Sequence, residues 1–237
     1  MTDKEYVYQC VLRTYGLDSA RFEKICGDLR TNEISISFEE NCLDGVITIS
    51  KNNVDAFALE SILGKINVRL EDYIYADKDM DLNECLVKLL TKKGEMLGVA
   101  ESITGGLISS TLCDVDGASK VLYEGIVTYN NGAKVRRLHV PATTLEEYSA
   151  VSKQTCEAML KGLLANKEIV YGLATTGYAN HQDDALSGLV YIGYGSLANF
   201  RIEEVMFKGS RNEVRKKACN YAMFRLIKLI DSVERIY

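Results

Sequence analysis

Absent from this chain of 237 residues is any apolar run approaching the roughly 20 residues that a membrane-spanning helix needs, which excludes a helical membrane protein. The start, Met-Thr-Asp-Lys-Glu-Tyr, lacks the basic and apolar segments of a secretory signal, so a cytoplasmic address is expected. An excess of positive charge is missing too. With a net charge of −5, nonspecific nucleic-acid binding is disfavoured as the main task, because neutralising phosphates takes grouped cations. The seven cysteines (10, 26, 42, 85, 113, 156 and 219) form no Cys-x-x-Cys pair, and neither histidine stands at metal-ligand spacing from one. An odd number of scattered thiols reads as reduced and buried rather than as a disulfide framework. No internal repeat or low-complexity tract interrupts the chain.

What is present is a globular composition, 47% hydrophobic, with an uneven charge. Residues 1 to 80 hold 9 Lys and Arg against 15 Asp and Glu, whereas residues 81 to 237 hold 19 against 18. Two modules are therefore expected, 1–80 and 81–237. In the first, Tyr6 to Tyr15 is rich in β-branched and aromatic residues and stops at Gly16, as a strand would. Asp18 or Ser19 then caps a helix to about Leu29. Strands over Glu33 to Phe38 and Gly45 to Ser50 flank a turn, and a helix from Val54 to Leu70 follows. The order β-α-β-β-α describes a small α+β module, and the acidic segment Tyr73 to Asp81 reads as a connector.

From Leu82 strands alternate with helices, which argues for a three-layer α/β/α domain with a late hairpin. A helix to about Lys92 leads to a strand before Ser102. Further strands are expected over 123–129, 168–174, 188–195 and 200–207, and helices over 131–138, 152–165 and 210–233. Ligands on such sheets sit beyond the carboxyl ends of the strands, so the strand-to-helix loops are the places to search. After the first strand comes Glu101-Ser102-Ile103-Thr104-Gly105-Gly106. Paired glycines at a helix start allow close backbone approach to a ligand, and the helix dipole there favours negative charge. A simpler role is open as well: Ser102 or Thr104 caps the helix.

The second loop, Thr128 to Lys134, offers an amine. A serine hydroxyl is a poor nucleophile at its own pKa, and a desolvated lysine can activate it. Lys134 is the candidate, with Tyr129 as a relay; a solvated lysine on a helix surface would look the same in sequence. The third loop, Thr175 to His181, adds Thr176 and Gly177. His181 beside Asp183 and Asp184 in a polar loop reads as solvated, and no metal is expected. Gly193-Tyr194-Gly195 echoes a dinucleotide fingerprint, but a strand follows it where a helix is required. Basic residues from Lys208 to Arg215 open the last helix against its dipole. A bound anion would give that a reason, and a mixed-charge helix face would serve equally.

Together these loops resemble the C-terminal domain of the CinA competence/damage-inducible family, whose Ala-Glu-Ser-Cys-Thr-Gly-Gly is matched from Ala100 to Gly106 with Ile103 for Cys. Asp114 to Ser119, Tyr129 to Lys134, Ser149 to Ser152, and Thr176-Gly177 follow the family in order. Residues 1 to about 80 resemble the connector module that precedes this domain, ending in Asp72-Tyr73-Ile74-Tyr75. The family's large N-terminal domain has no counterpart in these residues, so no pyrophosphatase activity is expected.

The resemblance implies an amidase that hydrolyses the carboxamide of nicotinamide mononucleotide without a metal or other cofactor. It implies Ser102 as nucleophile, Lys134 and Tyr129 as its activating partners, and the Thr104 to Gly106 N–H groups as an oxyanion or phosphate cradle. Glu101, Thr104, Gly105, Gly106, Asn131, Thr176, Gly177 and Arg211 are the implied substrate contacts, with Arg211 meeting the nucleotide phosphate. A small-molecule nucleotide is the expected partner, with neither nucleic acid nor membrane, and a homodimer or larger assembly is implied. One segment departs from the family: Asn180 to Leu186 replaces a loop rich in Gly and Pro. That change opens a second expectation, a non-catalytic nucleotide- or partner-binding relative.

Overall fold

The computed structural model describes residues 7–41, 43–52, 56–180 and 183–234. The chain divides into two compact units, Met1–Asp81 and Leu82–Tyr237. No helix among the described residues is long and apolar enough to cross a membrane.

The first unit is a four-stranded antiparallel sheet carrying two helices. Its strands are β1 (Val7–Tyr15), β2 (Ile34–Asn41), β3 (Asp44–Asn52) and β4 (Ile74–Ala76), in the order β2-β3-β1-β4. Helices α1 (Ser19–Cys26) and α2 (Ala56–Arg69) bury Phe22, Cys26, Ile62 and Ile66 with Leu12, Ile36, Ile47 and Ile49 of the sheet. Asp18, rather than Ser19, caps α1 by accepting from Arg21 N–H at 2.7 Å. The fourth strand corrects the sequence expectation. The segment Tyr73 to Asp81 reads as a connector because its acidic residues dominate, yet Ile74 to Ala76 pairs with β1. The acidic residues that follow turn back on Arg13, which binds Asp44, Asp79 and Asp81 at 2.6, 2.9 and 2.7 Å.

The second unit is a three-layer α/β/α domain. Its five strands are β5 (Leu97–Glu101), β6 (Leu122–Val127), β7 (Tyr171–Gly177), β8 (Leu189–Gly195) and β9 (Phe200–Met206), in the order β6-β5-β7-β8-β9. β6, β5 and β7 run parallel, and β8 and β9 form the expected hairpin, antiparallel to their neighbours. Helices α5 (Asn131–Leu138), α6 (Ala142–Tyr148) and α7 (Lys153–Leu164) form one outer layer; α3 (Leu82–Lys93), α4 (Leu107–Cys113) and α8 (Arg211–Glu234) form the other. Every residue of β5 is buried, as befits the central strand of a sheet covered on both faces. The chain leaves β5 towards β6 and later returns to β7 on the other side, so the carboxyl ends of β5 and β7 form a topological switch point.

Two elements differ from the sequence expectation. β7 runs three residues later than expected, because Thr175 and Thr176 are polar by type but buried within the strand. Helix α6 has no buried residue, hence no apolar period by which it could be recognised. Cys113, expected to be buried, is exposed at the end of α4, and Cys42 lies outside the described residues.

Candidate active site

Ser102 follows directly on β5, and its backbone N–H donates to Thr175 O of β7 at 3.0 Å, which fixes the residue at the switch point. Lys134 arrives from the neighbouring loop. Asn130 caps α5 by accepting from Gly132 N–H at 2.8 Å, and the helical period then turns Lys134 and Leu138 inward together. Behind them α7 presents Gly162, where a Cβ would meet Leu138 O at 1.8 Å, so only glycine permits this approach of α5 to α7.

The result is a lysine side chain that is 1% exposed. Its Nζ donates to Ser102 Oγ at 3.0 Å and to Thr128 O at 2.7 Å. Among the described residues no carboxylate forms an ion pair with it. Burial therefore pushes the amine down from its usual value to about 8, close enough to neutrality for a substantial unprotonated fraction. A neutral amine beside a hydroxyl can take its proton, so the pair forms a serine nucleophile with its own base.

Ser102 and Lys134 lie in the wall of a pocket of about 220 Å³. Tyr129, Thr176, Gly177 and Arg211, all named from the sequence, line it too. Tyr129, however, makes no hydrogen bond to Lys134 or Ser102 among the described residues: its hydroxyl accepts from Arg211 Nη2 at 2.8 Å. The two side chains form an exposed rim, and the expected relay through Tyr129 is not part of this arrangement. Thr176 Oγ1 donates to Ala150 O at 2.7 Å, tying β7 to the segment before α7. Ala150, Val151, Tyr178 and Asn180 also line the pocket and were not named as site residues. The family match at Ser149 to Ser152 is the signal that could have found the first two.

Five expected substrate contacts are placed elsewhere. Glu101 is fully buried, and its two carboxylate oxygens accept from the N–H groups of Gly106, Ile108 and Ser109 at 2.9, 3.1 and 2.9 Å and from Ser109 Oγ at 2.7 Å. The protein's own carboxylate thus occupies the α4 N-terminus, where an anion had been expected. Gly105 N–H is likewise taken, by Ser102 O at 3.1 Å, and Thr104 Oγ1 pairs with Thr175 Oγ1 at 2.8 Å. Gly105 and Gly106 serve the turn itself, with φ of 61° and 93°. Asn131 is exposed at the first turn of α5 and does not line the pocket. Among the described residues no group of three or more His, Cys, Asp or Glu could hold a metal ion; His181 lies outside them.

The sequence profile of the CinA C-terminal domain matches residues 79–230. The chain belongs to the CinA family. A CinA-like protein of Dictyoglomus turgidum is 34% identical over 218 residues, which are 88% of this chain and 53% of that protein. The chain thus spans about half the length of that relative. Among solved structures, a CinA superfamily protein from Klebsiella pneumoniae is 28% identical with a TM-score of 0.61, covering 64% of this chain and 96% of that one. The competence/damage inducible protein CihA from Agrobacterium tumefaciens is 33% identical with a TM-score of 0.60, covering 62% and 93%. These CinA structures share the three-layer architecture of the second unit. The CinA resemblance drawn from the sequence therefore stands, over both the motif-bearing loops and the fold.

Proposed function

We propose that this CinA protein is an amidase that hydrolyses the carboxamide of nicotinamide mononucleotide to nicotinate mononucleotide and ammonia. The observation that carries the reading is the buried, carboxylate-free Lys134 amine 3.0 Å from Ser102 Oγ at a pocket wall. In this mechanism Ser102 Oγ attacks the carboxamide carbon while Lys134 Nζ takes the hydroxyl proton. The carbonyl oxygen gains negative charge in the tetrahedral intermediate. Ile103 N–H, which has no hydrogen-bond partner among the described residues and belongs to a residue that lines the pocket, is the donor available to it. Lys134 passes the proton to the amide nitrogen as the C–N bond breaks, and ammonia leaves a serine ester behind. Water then attacks that ester with Lys134 again as base, and the C–O bond to Ser102 breaks to release the carboxylate.

Arg211 is suited to the phosphate end of such a substrate. Its guanidinium stands at the pocket rim, is held by Tyr129, and forms no ion pair among the described residues. Arg211→Ala is expected to raise KM for nicotinamide mononucleotide by about tenfold with kcat little changed, and to leave KM for the phosphate-free riboside unaltered. The proposal itself is tested by ammonia release from nicotinamide mononucleotide by the purified chain. Turnover that depends on Ser102 supports it. Binding of the mononucleotide without turnover would instead identify a nucleotide-binding relative, the second expectation raised by the Asn180 to Leu186 loop.

A further inference from the structure

One cation near the site is used by neither the nucleophile nor the rim. Arg215, one turn into α8, sends Nε to Ile103 O at 3.2 Å and Nη2 to Thr104 O at 2.8 Å. It is half-buried and does not line the pocket. No ion pair to a carboxylate neutralises it among the described residues. An arginine whose charge is spent wholly on two consecutive carbonyls, in the turn directly after Ser102, is an unusual use of a cation in a protein where Arg13, Arg30, Arg69 and Arg225 all pair with acids.

From this contact between Arg215 and the Ile103 and Thr104 carbonyls, we infer that Arg215 is a positioning residue that holds the turn following the nucleophile in place, so that the unpartnered Ile103 N–H stabilises the oxyanion. Ile103 C=O and Thr104 N–H belong to one peptide unit, and in a trans peptide they point in opposite directions. A guanidinium bonded to that carbonyl fixes the plane of this peptide and so limits rotation about Ile103, whose own N–H is the unpartnered donor beside Ser102. The second bond, to Thr104 O, holds the next peptide and stops the turn from rotating. Gly105 belongs to the same arrangement, since a Cβ there would lie 3.3 Å from Arg215 Nη2. The helix that carries Arg211 to the rim therefore also braces the nucleophile turn from behind.

This inference rests on the amidase reading for its natural reaction, so its test has two readouts. Arg215→Met and Arg215→Lys are compared with the parent in ammonia release from nicotinamide mononucleotide and in the rate at which a fluorophosphonate modifies Ser102, followed by intact mass. Phosphonylation also builds negative charge on an oxygen beside Ser102, yet needs no nucleotide. The Met variant is expected to lose about 30-fold in both kcat and phosphonylation rate, with KM within threefold of the parent. The Lys variant keeps the charge and most of the stem, so it preserves folding; reaching one carbonyl only, it is expected to lose about fivefold. Unchanged rates in both variants would overturn the inference, as would a raised KM at constant kcat, which would make Arg215 a substrate contact. A parent phosphonylated at Ser102 but inert towards the mononucleotide would sink the amidase reading, while the phosphonylation comparison would still decide the role of Arg215. A parent unreactive in both assays would overturn both.

Discussion

Replacing Lys134 with Met is expected to abolish most ammonia release while leaving the stability of the protein nearly unchanged. Lys134 Nζ is 3.0 Å from Ser102 Oγ and is the only base in hydrogen-bond reach of that hydroxyl among the described residues. General-base removal costs about 100- to 10,000-fold, and where the base also serves the leaving group the upper part of that range applies. The same amine is held in a site that opposes its charge, which is why its pKa falls to about 8. Each pKa unit corresponds to about 1.4 kcal/mol, so burial of the cation at neutral pH costs on the order of 3 kcal/mol. Met has a similar unbranched length and no charge. It forfeits the hydrogen bonds to Ser102 Oγ and Thr128 O, and leaving the buried Thr128 carbonyl without its partner costs about 1 to 3 kcal/mol, so the two contributions nearly cancel.

Relief of the buried charge carries its own pH signature. The unfolded chain keeps the Lys134 proton up to about pH 10.5, whereas the folded chain gives it up near 8, so the parent's stability rises with pH across that window. Below it both states are protonated and the full penalty is present. The stability of Lys134→Met relative to the parent in denaturant unfolding should therefore be constant below pH 8 and fall above it. A variant that lost both activity and stability would mean that Lys134 is a structural anchor rather than a strained base.

Glu101→Ala is expected to have the largest effect on stability. Three N–H groups and one hydroxyl at the start of α4 have Glu101 as acceptor, and the carboxylate is fully buried. No water can replace it without a cavity opening. Loss of a helix cap costs about 1 kcal/mol, and each buried donor left without a partner adds roughly 1 to 3 kcal/mol, partly relieved by relaxation. A loss of about 3 to 5 kcal/mol follows, read as a lower denaturant midpoint for the full chain by circular dichroism and tyrosine fluorescence. An unchanged midpoint would show that the turn after Ser102 is held by something else, and Glu101 would return to consideration as a pocket residue.

Glu101 also illustrates what the sequence could and could not tell. A carboxylate next to a serine and a glycine pair reads as a ligand site because all three residue types suit one. Only the backbone path reveals that the carboxylate bends forward over the helix start and takes the donors that a ligand would have used. Thr104, Gly105 and Gly106 were drawn into the substrate list by the same local pattern and are consumed by the same turn. Lys134 was legible for the opposite reason. By spacing alone it is indistinguishable from a solvated lysine on a helix surface, and only its place after Tyr129 in the family motif singles it out. Arg215 was invisible, since nothing in a mixed-charge helix start says that its guanidinium reaches across to carbonyls more than a hundred positions earlier in the chain.

At the level of the fold, the alternation of strands and helices from Leu82 onward gave the layers and the late hairpin correctly. Two omissions share a cause. Helix α6 has no fully buried residue, Leu145 alone packing partly on the core, and the short strand β4 is followed at once by acidic residues, so neither has the apolar period on which recognition depends. The shift of β7 has a different origin: Thr175 and Thr176 are polar in type, but their hydroxyls are engaged with Thr104 Oγ1 and Ala150 O. Buried polar strands of this kind become recognisable once their hydrogen-bond partners are known.

The pH dependence of kcat/KM for ammonia release from nicotinamide mononucleotide tests the central claim most directly. With the Lys134 amine as the base for Ser102, kcat/KM rises about tenfold per unit as pH increases towards 8, bends near the Lys134 pKa of about 8, and is level above it. A profile that is flat from pH 6.5 to 10, or that falls as the lysine loses its proton, would contradict an unprotonated Lys134 as the activating group.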